Sequence, residues 1–248
     1  EPIRYLETQG LSIEQQRYEL EMLDNINRRH ASMRSYDPTL EARIRSFELA
    51  SRMQLEAPEA FGVEGEPDSI RKLYGLDDRL TADFAWQCIL ARRLAERGVR
   101  YIQCTHSYKW DQHTNLFSLH SQNAREVDRP IAGLIRDLKS RDLLRDTLVI
   151  WAGEFGRTPV SEGGDGRDHN PYGYTIWMAG GGVKAGTVYG ATDDIGWKAV
   201  ENPMPWHDFH ATVLHLFGID HEQLTFYHNG IRRRLTNVHG DVAQGIFA

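Results

Sequence analysis

The stretch DTLVIWAGEFGRTPVSEGGDGRDHN, residues 146–170, decides how the rest of the chain is interpreted. It opens with Thr147 to Trp151, whose apolar and β-branched side chains predict a buried strand. A glycine-rich polar loop follows directly. Open α/β folds place their chemistry where an apolar strand ends in such a loop. The sequence therefore predicts a functional site just after this strand.

Predicted strands lie on both sides of this stretch. Residues 99–105 (VRYIQCT) predict a preceding strand, residues 116–140 a helix, and residues 174–179 (YTIWMA) a following strand. Strand–helix–strand is the pattern of a parallel sheet with a crossover helix. Pro130 is expected to kink that helix or to restart it. The predicted fold class is α/β, with a mostly parallel sheet flanked by helices.

The N-terminal region has a different pattern, because residues 1–80 predict helices and no strand. Ser12 and Gln15 have the spacing of a capping box. Asp37-Pro38 can start a second helix, since Asp caps well and Pro fits the first helical position. We therefore expect a helical subdomain or insertion at 1–80 and an α/β core at 81–248.

The composition excludes several classes of protein. The 248 residues carry a net charge of −6 without a basic stripe, so nucleic acid is not an expected partner. No apolar run reaches the roughly 18 residues that a membrane span needs. Cys88 and Cys104 are the only cysteines and cannot form a disulfide framework or a CxxC zinc site. The chain begins with Glu1 and shows no signal peptide, so we expect a processed or truncated piece of a longer protein.

Five potential metal ligands follow predicted strands. Asp111 and His113 are two residues apart, so in an extended segment they point the same way. Glu154 comes three residues after Trp151, and Asp168-His169 ends the central stretch. If the strands are parallel neighbours, these groups converge at one sheet edge. Two imidazoles with carboxylates suit a divalent ion, Zn²⁺ or Mn²⁺ first, with Mg²⁺ or Ca²⁺ as alternatives.

Each group taken alone also has an ordinary explanation. The Asp111–His113 pair is typical of an exposed loop, Glu154 could form a salt bridge with Arg157, and Asp168-His169 could be turn residues. The guanidinium groups of Arg157 and Arg167 suit a phosphate, sulfate or carboxylate, and equally well a structural ion pair.

A fourth group lies on a predicted helix near residue 206. His207 and His210 share a helix face and could bind a metal, or the segment could be a helix start with Asp208 favoured by the dipole. The remaining scattered histidines of the C-terminal part have no ligand spacing: His215, His221, His228 and His239. Residues 163–166 (GGDG) lack the lysine and the following helix of a phosphate-binding loop.

Several strings resemble a known family. They are WDQH (110–113), TLVIWAGEFGRTP (147–159), GRDHNPYGYTIWMAGGGVKAG (166–186) and DFHATVLHLFGID (208–220), with FELASRMQ and CILARRLAERGVRYIQ before them. The chain resembles, over essentially its whole length, a sulfatase-like bacterial family of unknown function in the alkaline-phosphatase/sulfatase superfamily.

The resemblance implies an alkaline-phosphatase-like fold and metal-dependent hydrolysis of a phosphate or sulfate ester. Asp111, His113, Glu154 and His169 match metal-binding positions of the superfamily, whereas Phe155 stands where a further His would be expected. The resemblance makes the segment with His210 a structural helix. It also suggests an exported or periplasmic protein.

The resemblance implies a Ser, Thr or modified Cys nucleophile after an N-terminal strand, which residues 1–80 do not offer. The chain is therefore expected to be the C-terminal half of a longer protein, with the N-terminal half as a partner. Thr105 and Ser107 are near the predicted site, but the resemblance supports neither as nucleophile. The catalytic nucleophile stays unknown.

Three hypotheses follow. The first is a metal-dependent hydrolase of a small-molecule or glycan phosphate or sulfate ester. In it Asp111, His113, Glu154, Asp168 and His169 hold the metal, and Arg157 and Arg167 bind the substrate. The second, motivated by Phe155, is a non-catalytic module that binds an anionic ligand such as a sulfated glycan. The third is a structural subunit of a larger assembly.

Overall fold

A computed structural model describes residues 10–33, 38–106 and 109–248, apart from the side chains of residue 13 and residues 51–58. The α-helices are α1 (Ile13–Ser32), α2 (Pro38–Phe61), α3 (Asp68–Tyr74), α4 (Ala82–Glu96), α5 (Leu116–Ser140) and α6 (Trp206–Leu216). Short 3-10 helices lie at Val63–Gly65 and Gln244–Ile246. Among the described residues, none of the helices combines the length and the apolar character that crossing a membrane requires.

The described strands are short and form two-stranded sheets. They are β1 (Val149–Trp151), β2 (Gly156–Arg157), β3 (His169–Asn170), β4 (Trp177–Ala179), β5 (Ala191–Thr192), β6 (Ala199–Glu201), β7 (Thr225–His228) and β8 (Ile231–Arg234). Within the described residues every sheet is an antiparallel pair: β1 with β4, β2 with β3, β5 with β6, and β7 with β8.

The predicted alkaline-phosphatase-like, mostly parallel sheet is therefore wrong for the part of the chain that the structure describes. β1 pairs antiparallel with β4, with Val149 opposite Ala179. Parallel strands are joined by a crossover connection that is usually a helix, and the chain between β1 and β4 contains no helix. Residues 99–105 form no strand, and the side chain of Tyr101 is 78% exposed. Their apolar pattern predicted a strand, but a pattern alone supplies no neighbour to pair with.

Two of the helix predictions agree with the structure. The capping box is present: Gln15 N donates to Ser12 Oγ at 3.2 Å, and Ser12 N donates to Gln15 Oε1 at 2.9 Å. Helix α5 begins and ends at the predicted residues and runs through Pro130 without restarting. The predicted helix start at Asp37 lies outside the described residues.

The chain divides into two compact units, Glu1–Ile70 with Ile89–Ile102, and Arg71–Cys88 with Gln103–Ala248. In the first, the buried side chains of Arg92 and Glu66 form an ion pair at 2.7 Å. In the second, Tyr74 packs on α5 and its hydroxyl donates to buried Asp137 at 3.0 Å. Gly133 makes this approach possible, because a Cβ there would lie 3.0 Å from the Cα of Tyr74. The predicted division at residue 80 stays a prediction.

Candidate metal centre

A two-stranded ladder places two of the predicted site residues side by side. In the antiparallel pair β2–β3, Arg157 lies opposite His169 and Gly156 opposite Asn170. Directly opposed residues of a ladder have neighbouring side chains on one face. Gly156 is required for the packing, because a Cβ there would lie 2.3 Å from the carbonyl oxygen of Gly173. The stretch predicted as an irregular loop thus contains a hairpin that holds Arg157 beside His169.

The tip of this hairpin packs against the segment that carries Asp111 and His113. A bridge between Glu162 and Gly166 closes the tip. Arg167 N donates to the carbonyl oxygen of Gln112 at 3.0 Å. A Cβ added to Gly166 would lie 1.7 Å from the carbonyl oxygen of His113, so only glycine lets the two backbones approach this closely. Segments far apart in sequence therefore meet here.

Helix α5 holds the other side of the same segment. The indole of Trp110 donates to His106 Nδ1 at 2.9 Å, and His106 Nε2 lies 2.9 Å from Glu126 Oε2. Because an indole N–H only donates, Nδ1 of His106 accepts, and Nε2 carries the proton that reaches Glu126. Lys109, and after it His106, hold the pKa of Glu126 down at about 2. This network fixes the residue that immediately precedes Asp111.

One carboxylate oxygen is the centre of the site. Oδ1 of Asp111 lies 3.1 Å from Nε2 of His113 and 3.0 Å from Nε2 of His169. Arg157 Nη2 donates to the same oxygen at 2.7 Å. The Arg157 guanidinium, and after it His169, lower the pKa of Asp111 to about 2. Asp111 is thus a carboxylate at any ordinary pH.

The residues present fit a divalent ion. One ligand atom from each of Asp111, His113 and His169 can be chosen so that all three lie within 4.8 Å of one another. Tetrahedral zinc with bonds of about 2.0–2.1 Å separates its ligand atoms by roughly 3.3 Å. The observed separations of 3.0 and 3.1 Å from Asp111 Oδ1 are close to that value. Three protein ligands would leave a coordination position open for substrate or water.

A residue that the sequence interpretation did not select joins the site. Glu162 Oε2 lies 2.7 Å from Nδ1 of His113. With Asp168 and His113 it forms a second group whose ligand atoms lie within 4.8 Å of one another. Glu162, and after it Asp111, raise the pKa of His113 above its ordinary value. The only signal in the sequence was a carboxylate beside a run of glycines, which is typical of many exposed turns.

The other predicted site residues are placed differently. Glu154 belongs to neither group of potential ligands among the described residues, and its backbone carbonyl accepts a hydrogen bond from the indole of Trp206. Asp168 Oδ1 accepts from the backbone N–H of His169 at 2.7 Å. Arg167 Nη1 donates to Ser161 and to the carbonyl oxygens of residues 165 and 166, so its guanidinium braces the hairpin tip.

His207 and His210 of α6 contact other aromatic rings. The ring of His210 stacks on Trp206, with centroids 5.6 Å apart, and the ring of His207 lies 5.0 Å from that of His239. Neither joins a group of three potential ligands in the part of the chain that the structure describes. Phe155, at the position where the resemblance would place a ligand, packs its ring 4.1 Å from that of His169.

Comparison with known proteins gives one match. The model of a family described as "Protein of unknown function (DUF1501)" covers residues 1–247. The chain belongs to the DUF1501 family. No curated protein and no solved structure matches it. The predicted membership of a family of unknown function is confirmed for this DUF1501 protein, while the description of the family names no activity.

Proposed function

We propose that this DUF1501 protein uses a divalent metal ion to hydrolyse a phosphate or sulfate ester. One observation carries the proposal: a carboxylate oxygen of Asp111 lies within about 3 Å of the Nε2 atoms of both His113 and His169. An oxygen and two imidazole nitrogens are a ligand set that suits Zn²⁺ or Mn²⁺. The side chains are 40–57% exposed, so a substrate has access to them.

The residues of the site have separate tasks in this proposal. Asp111, His113 and His169 would hold the ion, which when bound would polarise an ester oxygen or activate a water molecule. Arg157, already charged and beside Asp111, would steady the anionic group of the substrate. Ionised Asp111 needs no proton removed before it binds a cation, whereas each imidazole must present an unprotonated Nε2.

The ester class is supported by the resemblance of residues 110–113, 147–159 and 166–186 to sulfatase-like sequences. The ligand set and Arg157 favour the same class, because a guanidinium forms paired hydrogen bonds with phosphate and sulfate oxygens.

A second function is favoured by Phe155. Its ring covers one face of His169, and the guanidinium of Arg157 lies 5.6 Å from the centre of the same ring. An aromatic ring at a position where a further ligand would be expected suits a site that binds an anion without turning it over. In this candidate the protein binds a ligand such as a sulfated glycan, and the binding survives removal of metal.

Metal titration of the purified, chelator-treated protein tests the proposal. We expect one Zn²⁺ or Mn²⁺ per chain, a loss of affinity of at least tenfold in Asp111→Asn, and wild-type affinity in the exposed control Asp194→Asn. Glu154→Gln tests whether Glu154, a ligand predicted from the sequence, binds the metal. A loss of metal affinity equal to that of Asp111→Asn would show that it does.

Hydrolysis of aryl phosphates and aryl sulfates by the metal-loaded protein, lost in Asp111→Asn and in His113→Ala, would support catalysis. Absence of metal binding in the wild type would refute the metal centre. Metal-independent binding of a sulfated glycan without turnover would favour the second candidate.

A further inference from the structure

We propose that Glu162 is a positioning residue that selects which nitrogen of His113 is free to bind the metal. The inference rests on the proposed function for its purpose, but its structural content concerns the metal-free protein. Glu162 acts through His113.

The two nitrogens of His113 face different partners. Nε2 lies 3.1 Å from Asp111 Oδ1, on the side of the ligand group, and Nδ1 lies 2.7 Å from Glu162 Oε2. The ring is thus held between two carboxylates. An ion held by Asp111 and His169 would be bound by Nε2 of His113, whereas Glu162 contacts the other ring nitrogen, Nδ1.

Hydrogen-bond chemistry then decides the tautomer. Both carboxylates can only accept, so they compete for the single proton of the neutral ring. Glu162 lies in hydrogen-bond geometry at 2.7 Å from Nδ1, whereas Asp111 Oδ1 is 3.1 Å from Nε2 and already accepts from Arg157, so the proton resides on Nδ1. A neutral imidazole has one protonated nitrogen, which leaves Nε2 with a free lone pair. Carboxylate–histidine–metal triads work in this way, with the carboxylate orienting the ring and increasing the basicity of the ligand nitrogen.

The fold holds Glu162 in place for this task. Its backbone N–H donates to the carbonyl oxygen of Gly166 at 2.9 Å, which closes the hairpin tip. Asp165, in the same tip, accepts from the backbone N–H of Asn115 at 2.7 Å, at the start of α5. The guanidinium of Arg167 donates to the carbonyl oxygens of Asp165 and Gly166 in the tip. Glu162 is therefore attached to a braced turn and not to a free surface loop.

His169 provides an internal comparison. Its Nε2 faces Asp111 as that of His113 does, but no described side chain forms a hydrogen bond with its Nδ1. The ring of Phe155 packs against it instead, tilted by 33° with the ring centroids 4.1 Å apart. Removal of Glu162 should consequently change the tautomer of His113 and leave that of His169 as it was.

The competing arrangement makes Glu162 a ligand itself. Glu162, Asp168 and Nδ1 of His113 could hold a second ion, bridged to the first by the His113 ring. That arrangement would require both ring nitrogens to lose their protons. We favour the positioning role because it needs one deprotonation only.

Nitrogen-15 NMR of the histidine rings tests the inference in the metal-free protein, at a pH where His113 is neutral. We expect His113 to be protonated at Nδ1 in the wild type and in Glu162→Gln, whose amide oxygen still accepts. In Glu162→Ala the population of His113 protonated at Nε2 should increase, while the His169 signals stay unchanged. Glu201→Ala, at an exposed strand position, is the matched control.

Metal titration of the same variants gives the second readout. We expect a loss of Zn²⁺ affinity of about 10–100-fold in Glu162→Ala, partly restored in Glu162→Gln. An unchanged His113 tautomer in Glu162→Ala would overturn the proposal, as would two ions per wild-type chain that fall to one in this variant. A wild type that binds no metal would refute the proposed function, whereas the tautomer measurement would still decide the inference.

Discussion

At the scale of single residues, the site depends on how many donors one carboxylate oxygen can attract. Oδ1 of Asp111 is close to an Arg157 nitrogen and two imidazole nitrogens, although the side chain is 57% exposed. In the metal-free protein a ring that carries a proton on Nε2, such as the charged form of His113, donates it to this oxygen. A divalent ion would replace that proton, which links metal binding to pH.

The pH dependence of His113 follows from its two carboxylate neighbours. Glu162, and after it Asp111, raise its pKa above the ordinary 6.5. The stability that the charged His113 ring adds is fully present below the pKa that His113 has in the unfolded chain. It is lost as the pH rises through the higher pKa that His113 has in the folded protein. Metal affinity should show the opposite trend and increase over that range, because proton and metal compete for Nε2.

Proton NMR of the His113 ring in the metal-free protein measures this directly. We expect a midpoint above 6.5 in the wild type, which moves back toward 6.5 in Glu162→Gln. A wild-type midpoint at or below 6.5 would contradict the geometry of the His113–Glu162 pair.

At the scale of secondary-structure elements, the prediction succeeded where local signals were sufficient. Helix α5 was predicted over residues 116–140 and lies there, because a long apolar stripe specifies a helix by itself. The strand predictions failed where a neighbouring strand was needed: residues 99–105 form no strand, and β1 pairs with β4 in the antiparallel sense. The hairpin β2–β3 was missed because each of its strands has only two residues.

Gly166 should be the most sensitive position of that hairpin. Gly166→Ala would force a Cβ to within 1.7 Å of the carbonyl oxygen of His113, so the tip must move away from the ligand segment. We expect a loss of stability of about 1–3 kcal/mol, as for other overpacked sites, together with weaker metal binding. Chemical denaturation and Zn²⁺ titration measure the two effects.

Gly65→Ala is the control for this substitution, because nothing lies within 4 Å of a Cβ built at Gly65 and its backbone needs no positive φ. A Gly166→Ala protein with wild-type stability and affinity would show that the hairpin tip does not position the site.

At the scale of the whole molecule, all the candidate ligands lie in the unit formed by Arg71–Cys88 and Gln103–Ala248. The unit formed by Glu1–Ile70 and Ile89–Ile102 is held in part by a buried charge cluster. Arg92 is 3% and Glu66 5% exposed at the side chain, and Arg93 also pairs with Glu66, at 2.6 Å. Burial opposes ionisation of Glu66, but hydrogen bonds from Arg92 and Arg93 outweigh it and lower its pKa.

Glu66→Gln should destabilise this unit without changing the metal site. The substitution removes the negative charge that lies 2.7 Å from the buried Arg92 guanidinium, which also pairs with Glu96 at 2.8 Å. We expect a loss of about 3 kcal/mol, at the lower end of the range for a broken buried ion pair. Urea denaturation measures it, with the exposed Glu64→Gln as control. The folded variant should keep wild-type Zn²⁺ affinity, and an unchanged denaturation midpoint would contradict the role of Glu66.

The sequence by itself determined the helices, the membership of a family of unknown function and the choice of most candidate ligands. Capping residues, apolar stripes and the types Asp, His and Arg are local properties that each segment carries alone. Tertiary structure alone decided which of those residues meet. Asp111, His113 and His169 converge because the hairpin tip packs on the ligand segment, and Glu162 joins them for the same reason, while Glu154 does not. Strand pairing and ligand convergence depend on contacts between distant segments, which no local pattern specifies.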